Sequence, residues 1–310
     1  MIVQLVIFII SLSALIWGSD LLITQSGRIA KRFGISEYVI GATLVAIGTS
    51  LPEMAASITA NLQGKPDMAV ANVIGSNIFN ISLVLALVFL VAKSVNPDRD
   101  FFAKDSSWAL FPVLLFVLMV MDGVLSRFDG VLLLLLMFAY VLFLLRENKE
   151  MVAFEDEEES EFSATKVALL AIFGLVLVVV GAEYTIESAS YLAKAVGVSD
   201  WIIGIVMLSL GTSLPELVVS VTAALKGKAD MAIGTIIGSN MANITIVLGS
   251  AVVLKKIDIS LQQYSFDIAT MVVATLMLVF LSANKLYTKP AGISLLILLA
   301  IFLQHTLSAI

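Results

Sequence analysis

Two glutamates, Glu53 and Glu216, close identical sextets, GTSLPE at Gly48–Glu53 and at Gly211–Glu216, and each sits deep in a long apolar stretch. A carboxylate in the middle of a membrane span costs about 2.5–3.5 kcal/mol on insertion scales, so something must compensate it. No Lys or Arg lies within these apolar stretches or the ones that follow them, so a structural ion pair has no visible partner. Gly48 with Pro52, and Gly211 with Pro215, loosen the helix at the same place, because proline offers no N–H to the carbonyl four residues back. Thr49 and Glu53 stand at i, i+4 and share a helix face, as do Thr212 and Glu216. Freed carbonyls, hydroxyls and a carboxylate around one break make an all-oxygen cluster, the ligand set that Ca2+ and Na+ select.

A second polar set follows each sextet. Asn72, Ser76 and Asn80 fall at i, i+4, i+8, and Thr235, Ser239 and Asn243 repeat the stripe 163 residues later. Amide and hydroxyl oxygens can complete a coordination shell without adding charge. If the two stretches meet antiparallel at the midplane, Glu53 and Glu216 converge and neutralise one divalent cation. An empty site would then hold two negative charges in a low dielectric, which disfavours crossing while empty. Other polar residues have plainer readings. Ser57, Thr59, Ser220 and Thr222 are expected to bond their own helix backbone, and Asn77 and Asn240 to pack between helices. Asp20 and Glu183 lie in apolar stretches with no base expected nearby, and their role is open between site, gate and structure.

The elements that must position these residues are membrane spans. The 310 residues are 60% hydrophobic and 14% charged, against about 25% charged in soluble domains. Apolar runs of bilayer length recur along the chain, which excludes a soluble enzyme, a nucleic-acid binder and a disordered protein. There is no Cys, and the single His, His305, is near the end, so thiolate chemistry and His-based clusters are excluded. Hydropathy predicts ten spans, at 2–27, 36–62, 67–92, 107–122, 129–145, 166–192, 200–225, 230–254, 265–282 and 290–309. The first has no basic n-region and no cleavage site, so it is read as a retained span. The stretch 146–165 is the one linker, and it holds six acids between Glu155 and Glu161. Without those six, 18 basic residues face 18 acidic ones, so the net charge of −6 belongs to this loop. The loop is most simply solvated, with a regulatory cation site as the sharper alternative.

The two halves, 1–145 and 166–310, are copies. A shift of 163 residues aligns both sextets, the Gly75-Ser76-Asn77 and Gly238-Ser239-Asn240 triplets, and Gly18-Ser19-Asp20 with Gly181-Ala182-Glu183. Between Gly34–Ala86 and Gly197–Gly249, 27 of 53 positions are identical without a gap. An apolar bias alone would not keep polar residues in register. Five spans per copy is an odd number, so the second copy enters the membrane upside down, as in many secondary transporters. The expected fold is therefore an all-α polytopic membrane protein of ten transmembrane helices in two inverted five-helix repeats. With the N-terminus outside, 13 Lys/Arg fall on the cytoplasmic side and five outside, which places both termini outside and the linker inside.

GATLVAIGTSLPE with GSNIFN, then LSLGTSLPE with GSNMAN, resembles the two alpha repeats of the sodium/calcium exchanger family, within the calcium/cation antiporters. The resemblance covers essentially the whole chain. It implies a midplane site in which Glu53 and Glu216 bind calcium with the backbone carbonyls of Thr49 and Thr212. Sodium sites would add Ser50, Ser76, Ser213, Ser239 and the carbonyls of Ala46 and Ser209, with Asn80 and Asn243 completing the centre. Some family members carry Asp where this chain has Asn243; two central Asn weaken the case for potassium co-transport and for a proton held on a third acid. The linker is too short for the calcium-sensing domains of eukaryotic exchangers, and the size fits a prokaryotic inner-membrane protein. The resemblance implies sodium-driven calcium export by alternating access. Proton/calcium exchange on the same fold is the nearest rival, and a passive channel or an intramembrane enzyme is further off. The expected partners are the transported ions and the lipid bilayer, with no cofactor, no nucleic acid and a monomeric chain.

Overall fold

The computed structural model describes residues 1–92, 95, 97–151, 163–197 and 211–308, the side chains of 148–151 excepted. Eleven helices dominate it: α1 Ile2–Phe33, α2 Glu37–Thr49, α3 Leu51–Leu62, α4 Pro66–Val91, α5 Phe101–Met119, α6 Arg127–Met151, α7 Ala164–Ala195, α8 Leu214–Leu225, α9 Ala229–Leu254, α10 Leu261–Ala283 and α11 Lys289–Ser308. Among the described residues eight helices are long and apolar enough to cross a membrane, and α2 with α3 forms one further, bent pair. The first half of the expected seventh span falls in 198–210, outside the described residues, and so does most of the acidic linker. The expected boundaries of the described spans hold within a few residues except in three places, the first being α1, which runs to Phe33 instead of 27. Helix α5 begins at Phe101 instead of 107, started by the Asp100 carboxylate, which accepts from the Ala103 N–H. Helix α6 runs to Met151, so the linker's first residues continue the helix. Hydropathy marks where lipid ends, and a helix can continue past that point into water.

Of the eight spanning helices, two are buried and six are peripheral. In α4 and α9, 78% of the apolar window is buried, against 22–44% in the other spanning helices, so the stretches carrying the Asn72 and Thr235 stripes form the centre. Three described elements around them interlock crosswise. Helix α3 leans on the second half of α9, α8 leans on the second half of α4, and α2 runs along the first half of α9. That last contact is backbone on backbone. A Cβ on Gly238 would stand 2.4 Å from the Ala42 carbonyl oxygen and 2.6 Å from Ala42 Cα, so only glycine permits the approach.

The peripheral pair α1 and α7 pack through glycines in a reciprocal way. A Cβ on Gly18 would meet the Gly174 carbonyl at 2.8 Å and the Val178 nitrogen at 3.0 Å. A Cβ on Gly181 would meet the Ser11 carbonyl at 3.0 Å and the Leu15 nitrogen at 2.8 Å. Each contact becomes the other when 163 is added to one partner and subtracted from the other, the signature of a two-fold relation between like surfaces.

Loops that the charge count assigns to one side touch one another. On the expected outer side, Val124–Leu125 (β1) pairs antiparallel with Ile257–Asp258 (β2), Asn61 donates to the carbonyls of Ala251 and Lys255, and Tyr264 donates to Asp67 at 2.9 Å. On the expected cytoplasmic side, Lys228 pairs with Glu37, and the Asp230 carboxylate accepts from the backbone N–H groups of Asp98 and Arg99. There a buried Arg99–Asp105 pair, its guanidinium 4.5 Å from the Tyr38 ring centre, anchors the loop before α5. Sequence spacing gave no hint of this anchor.

Candidate cation site

The sextets form breaks, as expected, but the breaking residue is serine. Helix α2 ends at Thr49, Ser50 departs from helical geometry at φ −83° and ψ 6°, and α3 leaves at 43° with Pro52 in its first turn. Proline suits that position, since the first N–H groups of a helix have no intrahelical acceptor. In the second half Ser213 has nearly the same geometry, φ −87° and ψ 4°, before Pro215 in the first turn of α8. The Gly211 carbonyl expected to be free there accepts from the Leu214 N–H at 3.5 Å. Glu53 and Glu216 are thus in the first turns of α3 and α8, where the partial positive charge of a helix N-terminus favours a carboxylate.

The two breaks face each other. Ser50 donates to Glu216 Oε1 at 3.0 Å, and Ser213 donates to Glu53 Oε1 at 3.5 Å. These bonds too are related by the 163-residue shift. Glu53 and Glu216 are 1% and 0% exposed, and in each the Oε2 atom has no hydrogen-bond partner among the described residues. A buried unpartnered carboxylate oxygen is costly unless a cation or another donor satisfies it. Ser239 Oγ and both polar atoms of Asn80 and of Asn243 are likewise buried without a partner among the described residues. No group of three or more His, Cys, Asp and Glu is found among the described residues. The arrangement is therefore two charges set among neutral oxygens.

The expected ligands are placed as follows. Ala46, Thr49, Ser50, Ser76, Asn80, Ser213, Ser239 and Asn243 are buried with the two glutamates, and Thr212 is half-buried beside them. Ser209 lies outside the described residues. The Thr49 hydroxyl donates to the Ala46 carbonyl at 3.2 Å, so one expected sodium ligand already accepts a hydrogen bond from its own helix. Asn80 and Asn243 each open a π-helical turn, Asn80–Leu85 and Asn243–Leu248. Wide turns of this kind interrupt the regular ladder and recur at functional sites. Periodicity read from sequence does not detect a single such turn.

Several polar residues differ from expectation. Asn72 and Thr235, aligned on the two stripes, behave differently. Thr235 donates to its own backbone at Met231, 2.8 Å away. The Asn72 amide is fully engaged by Glu53, Ser57 and Thr212. Asn77 is buried and donates to Val73 within its own helix at 2.8 Å. Ser57 is the acceptor of an interhelical bond, and Ser220 Oγ has no partner among the described residues, so neither is seen bonding its own backbone. Asp20 does have a base: Lys226, capping α8, reaches it at 2.6 Å and also donates to Thr24 at 2.8 Å. The two are 206 residues apart in sequence, and only tertiary packing brings them together. Glu183 is exposed.

Known proteins resemble this chain along almost its whole length. The model of the sodium/calcium exchanger protein family matches residues 3–146 and 166–307, one match in each half. The sodium/calcium exchanger MaX1 of Methanosarcina acetivorans is 32% identical, with 97% of each chain covered. An uncharacterised membrane protein of Methanocaldococcus jannaschii is 36% identical over 87% of each chain. The solved structure of the sodium-calcium exchanger NCX_Mj, soaked with Na+ and Sr2+, superposes with a TM-score of 0.84 at 33% identity over 98% of both chains. Two family-model matches and relatives aligned over nearly the full length lead to one conclusion: the chain belongs to the sodium/calcium exchanger family of membrane antiporters.

Proposed function

We propose that this protein exchanges sodium for calcium across a prokaryotic inner membrane by alternating access, in the direction of calcium export. The observation that carries the reading is the pair of buried glutamates. Each is held on one oxygen by a serine of the opposite half, and each keeps its second oxygen without a partner among the described residues. Two carboxylates balance one Ca2+ or two Na+. Neutral oxygens of Ser50, Ser76, Ser213, Ser239, Asn80 and Asn243, with the carbonyls of Ala46, Thr49, Ser209 and Thr212, would fill the remaining coordination sites. A proton needs no such cage, which favours sodium as the coupling ion.

The architecture in this reading is ten spans in two inverted repeats, 1–145 and 166–310, joined by a cytoplasmic acidic linker, with both termini outside and the chain acting as a monomer. The reciprocal contacts of Gly18 and Gly181, and of Ser50 and Ser213, support the inversion. The state is one in which the cytoplasmic end is shut. Helix α1 packs on α8, with Lys226 bridging to Asp20 at that end, whereas α7 makes no comparable contact with α3. The test is isotope calcium flux into proteoliposomes under imposed sodium, proton or potassium gradients. A sodium gradient is expected to drive calcium movement and the other two are not. Flux driven by the proton gradient alone would identify a proton/calcium antiporter and overturn the proposal.

A further inference from the structure

Asn72 lies in the first third of α4 and its side chain reaches both halves. Its Nδ2 is 3.3 Å from the Glu53 backbone carbonyl and 2.9 Å from Ser57 Oγ, and its Oδ1 is 3.2 Å from Thr212 Oγ1. The amide orientation follows from chemistry. The Glu53 carbonyl can only accept, so the nitrogen must face it, and the oxygen is left for Thr212. The Thr212 hydroxyl therefore donates to Asn72. Its lone pairs, and the carbonyl on the same residue, are held in one orientation next to the carboxylates. One buried side chain thereby ties together the backbone at Glu53, the second turn of α3 at Ser57 and the break before α8.

The other half has no such brace. Shifting by 163 residues puts Thr235 at the position of Asn72, Ser220 at that of Ser57 and Thr49 at that of Thr212. Thr235 is too short to span the gap and bonds its own helix at Met231. Ser220 Oγ is left buried without a partner among the described residues, and Thr49 turns back to Ala46. Three hydrogen bonds found in one copy are thus missing from the other, and the difference traces to one substitution between the repeats.

We propose that Asn72 is a positioning residue of the cation site. It would hold Glu53 and Thr212 at ligand spacing without itself binding the ion, and it would make the Glu53 side of the site the rigid one. This rests on the reading of Glu53 and Glu216 as calcium ligands. The inference predicts an effect on ground-state affinity greater than on turnover, because the brace shapes the site and takes no part in opening either end.

The experiment compares Asn72→Thr, which copies the second repeat, Thr235→Asn, which copies the first, and the double exchange, with Glu53→Gln as control. Sodium-driven calcium flux in proteoliposomes gives KM for calcium and kcat for each variant. Asn72→Thr is expected to raise KM about five- to tenfold, the scale of losing one or two net hydrogen bonds, with kcat within about twofold of the parent. The double exchange is expected to recover KM to within about twofold, by building the brace on Ser220, the Glu216 carbonyl and Thr49. An unchanged KM in Asn72→Thr would overturn the inference, and so would a raised KM that the double exchange leaves unrecovered. If Asn72→Thr does not fold but the double exchange folds with near-parental KM, the inference stands; failure of both to fold would assign Asn72 to packing and overturn it. The control separates the two levels. Parental flux in Glu53→Gln would remove the reading of the site itself, whereas a dead control beside an unaffected Asn72→Thr removes only the brace.

Discussion

Replacing Glu53 by Gln keeps the size of the side chain and one oxygen while deleting one of the two charges at the site. A calcium ion on a carboxylate oxygen sits at about 2.3–2.6 Å, so its charge lies roughly 3 Å from the centre of the carboxylate. At the effective dielectric of about 20 that describes protein sites, the attraction between +2 and −1 at that distance is on the order of 10 kcal/mol before desolvation is subtracted. Even if two-thirds of this is offset by desolvation, about 3–4 kcal/mol remains, a loss in calcium affinity of more than a hundredfold. The apoprotein should not suffer. Glu53 Oε2 has no partner among the described residues, and the bond weakened at Oε1 is the longer of the two cross-half bonds, 3.5 Å against 3.0 Å. The same argument applies to Glu216→Gln, with a larger structural penalty because the shorter bond is weakened. Two assays follow. Isotope calcium flux under a sodium gradient should vanish in either variant. Thermal unfolding should show a calcium-dependent rise in the parent, worth about 2.7 kcal/mol at a hundredfold excess over Kd, and none in the variants. Near-parental flux together with a parental calcium-dependent rise in either variant would refute the reasoning.

Other perturbations test different parts of the account. If more than two sodium ions exchange for each calcium, net charge moves in every cycle, worth about 2.3 kcal/mol per charge per 100 mV, and flux should follow an imposed potential; indifference to potential would mean electroneutral exchange. Gly238→Ala would drive a Cβ to 2.4 Å from the Ala42 carbonyl oxygen and should destabilise the protein by about 1–3 kcal/mol, read as a lower melting temperature in detergent. Lys226→Gln should break the partly exposed bridge to Asp20, worth about 0.2–1 kcal/mol, and loosen the closed cytoplasmic end, lowering the apparent KM for calcium there by up to about fivefold. Asn243→Asp should place a third acid beside the glutamates and give sodium-driven calcium flux a pH dependence that the parent lacks; superimposable profiles would show that Asn243 does not face the cluster.

The parts of this architecture legible in the sequence are those set by local composition and by the repeat. Apolar runs mark the helices because lipid tolerates little else, and the two sextets mark the breaks because glycine and proline act on the backbone next to them. The pairing of Ser50 with Glu216 and of Ser213 with Glu53 follows once two like surfaces face each other. What was not legible depends on how far a side chain reaches. Nothing in the spacing of α1 says that a lysine 206 residues away caps Asp20, and nothing in the run around Asn80 or Asn243 announces a π turn. Asn77 sits in a motif beside the site and yet bonds its own helix, a choice made by packing around it.

The internal repeat offers a way past part of that limit. Where the copies agree, symmetry says only that the two sides do the same thing. Where they disagree at a polar position, one side makes a contact that the other cannot. Asn72 against Thr235 is one such mismatch, and in the structure it gives a brace across the centre in one half only. Gln63 against Lys226 is another, and it gives a charge pair with α1 at one end, while Glu183, the counterpart of Asp20, would face a neutral amide at the other. An exchanger with two identical halves would have no intrinsic preference between its two open states. In the proposed cycle, mismatches such as these are where the chain can set its rigidity and its resting side, and exchanging the mismatched residues between the halves should exchange those properties.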